Sequence, residues 1–188
     1  MRIQRLYPAL AALALVISCK EVKPLDPTGL TINVTVPQGS YELTPLLRWN
    51  ATVSDVKTYM SDFYGKWQDE GIDALLFQDN GLWVKKFSTG SLECNYYFLD
   101  SSGKDLVLVS FDYFGSSYLQ PLHEEMERLG FEYKGVVTFP DYNADTCHLY
   151  LSPDLTLEVQ LASWEKDGGS WCISFQPTDP DDLKLVVK

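Results

Sequence analysis

The sequence predicts an α+β fold: one antiparallel sheet with helices packed on one face, built from two helix-plus-strands repeats over about residues 54–113 and 117–176. Three observations lead there. Apolar residues recur three and four apart in two segments, they alternate at period two in several others, and tight turns such as Asp79-Asn80-Gly81 and Ser101-Ser102-Gly103 separate the alternating runs. With 45% hydrophobic and 13% aromatic residues in 188, the chain can fill one compact core.

The amino end reads as an export leader rather than as part of that core. Arg2 and Arg5 precede an apolar run over residues 6–17, too short to span a bilayer, and Ser18 is the small residue before Cys19. Leu15-Val16-Ile17-Ser18-Cys19 resembles the lipobox of bacterial lipoproteins, with Val16 where leucine is commoner. The resemblance implies a signal peptide over residues 1–18, cleavage before Cys19, a diacylglycerol on the Cys19 sulfur and an acyl chain on the new terminus. Two or more chains hold a protein to a membrane where one does not. Lys20, standing where an aspartate would retain a lipoprotein in the inner membrane, resembles the outer-membrane pattern, so the expected location is the outer membrane, periplasmic or surface-exposed.

Residues 19–42 follow as a tether. Pro24, Pro27, Pro37, Gly29 and Gly39 give it a spacer composition, with room for an edge strand through Leu30, Ile32, Val34 and Val36. The folded domain is expected over residues 43–188. Val56, Tyr59, Met60, Phe63, Tyr64 and Trp67 place a first amphipathic helix over 54–71, stopped at Gly71. A second runs over 117–130, opened by a capping box of Ser117 with Gln120 and closed at Gly130. Strands are expected at 83–87, 94–100, 106–113, 131–139, 147–154, 155–164 and 170–176. In plan alone, with no shared motif, residues 54–176 resemble the tandem repeats of beta-lactamase inhibitor proteins, which bind a protein on the sheet side.

Charge and cysteine content narrow the function. The net charge of −11 becomes more negative once Arg2 and Arg5 leave with the signal, which excludes nucleic acid as a partner. Cys94, Cys147 and Cys172 cannot all pair. Alternation puts Cys147 with Leu149 and Leu151 on an inward face and Cys172 on an outward one, so free thiols are expected, with Cys94 to Cys147 the fallback bridge.

The outward set on the best-patterned strands, His148, Tyr150, Glu158, Gln160, Trp164, Cys172, Ser174 and Gln176, mixes polar and aromatic side chains as a recognition surface does. His148 adjoins Cys147, yet neighbours in a strand point apart, so no nucleophile and base pair forms there. His123 is expected to face solvent on the second helix. Asp141, Asn143 and Asp145 space three oxygens like the start of a calcium loop, but Thr146 and Ser152 stand where glycine and a bidentate glutamate belong. An ordinary polar turn is expected, with no metal and no cofactor. No catalytic motif occurs. The leading expectation is therefore a non-catalytic, membrane-anchored module for a protein or peptide partner. The alternative is a glycan-binding or cell-wall-associated factor, even a hydrolytic one, using Trp83, Trp164, Tyr97, Tyr113 and Tyr142 to stack on sugars.

Overall fold

The computed structural model describes residues 29–63, 66–75, 82–99, 102–115, 119–137, 146–164, 169–179 and 186–187. They form an α+β fold dominated by antiparallel sheet. A hairpin of β1 (Ile32–Val36) and β2 (Gly39–Leu43) comes first, then α1 (Val53–Phe63) and a meander of β3 (Gln68–Leu75), β4 (Leu82–Thr89), β5 (Leu92–Phe98) and β6 (Leu106–Tyr113). After α2 (Gln120–Arg128), a second meander comprises β7 (Glu132–Val137), β8 (Thr146–Leu151), β9 (Leu157–Trp164) and β10 (Ser170–Pro177), and β11 (Val186–Val187) closes the series. The large sheet runs β11-β7-β8-β9-β10-β6-β5-β4-β3. Its two meanders therefore meet at one seam, where β10 pairs antiparallel with β6.

Register sorts the side chains into two faces, which we call after Phe111 and Ser110. On the Phe111 face, Cys94, Tyr96, Phe98, Val109, Phe111, Tyr113, Val159, Leu161, Ile173 and Phe175 are buried in one apolar cluster. That cluster also takes Val56 and Met60 from α1 and Leu122 and Met126 from α2. Aromatic contacts stitch the seam: Tyr113 stacks on Trp171 with centroids 5.5 Å apart, and Phe111 meets Phe175 edge-on. Lys85 is buried on this face as well, tied to Asp69 and the Gly71 carbonyl, with its ammonium 4.9 Å from the Phe87 ring centroid.

Several expectations need correction. Leu30, Ile32, Val34 and Val36 are core residues, and their strand pairs with β2 in a separate two-stranded sheet instead of edging the large one. The first helix ends at Phe63 rather than near Gly71, because Gly71 lies in β3 beside a bulge with φ +98°. Its start is fixed by Thr52 and Asp55: the Asp55 N–H donates to Thr52 Oγ1 and the Thr52 N–H to Asp55 Oδ2, a reciprocal capping box. The second helix starts later than Ser117, at Gln120, with Leu119 as N-cap and no side-chain cap, since Pro121 in the first turn already lacks an N–H. Its stop is as expected. Phe131 N–H donates to the Met126 carbonyl and Gly130 N–H to that of Glu127, a Schellman turn around Gly130 at φ +83°.

Candidate functional site

Along the Ser110 face the cross-strand partners form rows. One row is Lys86, Asn95, Ser110, Ser174, Gln160 and Leu149, taken from β4, β5, β6, β10, β9 and β8 in turn. Two hydrogen-bond networks grow on this row. Asn95 donates from Nδ2 to Asp112 Oδ2 at 2.6 Å, Ser110 donates to the same oxygen at 2.8 Å, and the Tyr97 hydroxyl meets Ser110 Oγ. Burial and the Asp112 carboxylate push the Tyr97 phenol far up, so it stays protonated. In the second network Glu158 Oε1 accepts from Gln160 at 2.6 Å and from Gln176 at 3.0 Å. Ser110 and Ser174 pair across the seam and bring the two networks side by side.

At the β4–β5 end this face opens into a cleft of about 590 Å³, lined by Glu70, Lys86, Ser88, Glu93 and Phe114 with the turn residues Gly90 and Ser91. Phe114 is 57% exposed there. Deeper along the same face, the Asn95 Oδ1 atom is buried without a hydrogen-bond partner.

The register divides the expected recognition set. Glu158, Gln160, Trp164, Ser174 and Gln176 share the Ser110 face, whereas His148 and Tyr150 pair with Leu161 and Val159 and so lie on the Phe111 face. Glu158 and Ser174 are buried, and Trp164 packs on a small cluster of Val137, Cys147, Leu149, Ala162 and Cys172. That cluster explains the difference: β8 carries apolar side chains on both faces, and alternation labels the faces without saying which one is the larger core. Cys147 and Cys172 consequently share a face, flanking Ala162 two strands apart, and Cys94 is on the other. Two strand spacings, about 9.5 Å, exceed disulfide reach, and the Cys94 to Cys147 fallback would have to pass through the sheet. Cys94, Cys147 and Cys172 are all buried, and none of them is in a disulfide. Burial raises the Cys94 thiol well above its ordinary value, which leaves it inert as a nucleophile.

His123 is half-buried rather than fully solvent-facing. It contacts Tyr150 and His148, from the opposite side to Cys147. Sequence reasoning also missed Asn95, Ser110 and Asp112. Their signal was present: 95 and 97 in β5, and 110 and 112 in β6, are alternate positions filled by polar or amphipathic side chains between buried apolar ones. Cys19 and the loop residues Asp141, Asn143 and Asp145 lie outside the described residues. Among the described residues no group of three or more His, Cys, Asp or Glu side chains could hold a metal, and no helix is long and apolar enough to cross a membrane. No protein-family model, curated protein or solved structure matches the chain.

Proposed function

We propose that this chain is a lipid-anchored envelope protein, held to the outer membrane through Cys19, that binds a protein or peptide partner without catalysing a reaction. In this reading the two meanders descend from one duplicated helix-plus-strands unit. The helices and the β1–β2 hairpin cover the Phe111 face, while the cleft end of the Ser110 face meets the partner. The observation that carries the proposal is the cleft itself, where exposed Phe114 stands beside Lys86, Glu70 and Glu93. An apolar anchor inside a charged rim is the usual arrangement of a binding hot spot. Acidic rim groups and the negative net charge favour a basic segment as the ligand. The aromatic rings a glycan would need are largely committed to packing: Tyr113 is buried, and Trp83 and Trp164 pack on apolar clusters.

A photocrosslinking amino acid at Phe114 in the full chain, expressed in the bacterial envelope, tests this. One discrete adduct is expected from position 114, none from the exposed control Leu155, and loss of the adduct when Glu93→Lys is added. Indistinguishable labelling from 114 and 155 would overturn the binding assignment. Metabolic palmitate labelling, abolished by Cys19→Ala, tests the anchor separately.

A further inference from the structure

The chain has two histidines, and the fold brings both together. His123 on α2 and His148 on β8 meet edge to face, with ring centroids 4.5 Å apart and planes at 85°. A tyrosine holds each ring. The Tyr150 hydroxyl meets His123 Nδ1, and the Tyr133 hydroxyl meets His148 Nδ1 at 3.1 Å. The two phenol rings lie 5.1 Å apart, so the four side chains form one cluster that ties α2 to β7 and β8.

A second positive charge has no place in this arrangement. Glu127, one helical turn beyond His123, is the charged group that acts on that ring. On β7, Glu132 and Lys134 are paired with each other at 2.6 Å, and on α2 Glu124 accepts from Gln120. Glu127 can offset one imidazolium; it cannot offset two in contact within a half-buried site. We propose that His123 and His148 form an acid-sensitive latch that fastens α2 to the β7–β8 end of the sheet and opens when both rings are protonated. Opening would also release the β1–β2 hairpin, because α2 holds that hairpin through Glu125 and Asn33.

Burial lowers the proton affinity of both rings, and the charge of His123 lowers that of His148 further. The unfolded chain, with histidines near 6.5, then binds protons more readily than the folded one. Latch stability is therefore complete above about pH 6.5 and is lost as pH falls below it through the folded values. Imidazole NMR titration of the full chain between pH 8 and 4.5, paired with thermal unfolding at each pH, tests the latch. Two coupled steps below pH 6.5 are expected, with amide exchange in α2 accelerating over the same interval. The Tm should drop by about 5 °C more between pH 6.5 and 5 in the wild type than in His148→Gln. Independent titration of both rings at about 6.5, or parallel Tm profiles for the two proteins, overturns the proposal. If His148→Gln does not fold, the wild-type titration decides alone.

Discussion

Gly103 shows how one residue can hold two elements in place. Its carbonyl accepts the Val53 N–H at 2.9 Å, so the β5–β6 turn satisfies one of the donors that α1 leaves open at its first turn. The backbone there has φ +63°, and a Cβ would fall 2.5 Å from Val53 Cγ2, a branched side chain with little rotamer freedom. Gly90, in the β4–β5 turn, has nearly the same φ of +60°, with nothing within 4 Å of the place a Cβ would take. Comparing Gly103→Ala with Gly90→Ala therefore separates the collision from the strain. Urea unfolding should show a loss of about 1 kcal/mol for Gly90→Ala and about 3 kcal/mol for Gly103→Ala. Equal losses would mean that Val53 moves aside freely.

At the scale of elements, Glu125 is the joint between α2 and the hairpin. It accepts from the Asn33 N–H at 2.7 Å and from Arg128 Nε at 2.6 Å, although its side chain is only 9% exposed. The Arg128 guanidinium, with the Asn33 backbone and side chain, holds its carboxyl at about 2. That depressed value means the Glu125 contribution is complete above about pH 4.5 and is lost as pH falls toward 2. Glu125→Gln should cost about 2 kcal/mol at pH 7, after allowing for solvent screening at the exposed Arg128, and should flatten acid unfolding over that interval. This window opens below about pH 4.5 and that of the histidines below about pH 6.5, so one pH series follows both. Most element positions are readable from periodicity, including β6, whose bounds match those expected. The failures have local causes. Trp67 continues the helical spacing past Phe63, yet it packs on Phe111 from the residue just before β3, and a glycine that looks like a helix stop lies beside a strand bulge. Proline and glycine in residues 19–42 suggest a spacer, but the alternating Ile32, Val34 and Val36 bury like any core strand.

Over the whole molecule, the seam between β6 and β10 decides cooperativity. Neither meander has its full complement of neighbours until these strands, far apart in sequence, are paired. A chain ended after residue 115 would present β6 as a bare edge carrying Val109, Phe111 and Tyr113. Such a fragment should sediment as aggregate at concentrations where the full chain does not, and a folded, monodisperse fragment would contradict this view of the seam. The candidate site is less readable than the fold for a related reason. Facing depends on long-range register, and on β8 both sets of alternate residues are apolar enough to be buried, so alternation groups His148 and Tyr150 with Gln160 and Gln176 although the sheet lies between them.

The seam has one more consequence. Its hydrogen bonds and aromatic contacts do not require that both strands come from the same polypeptide, and only a short connection over residues 114–119 separates β6 from α2. Two molecules can trade their carboxyl-terminal meanders and keep every native strand pairing, so raising the local concentration of the chain would favour an exchanged dimer.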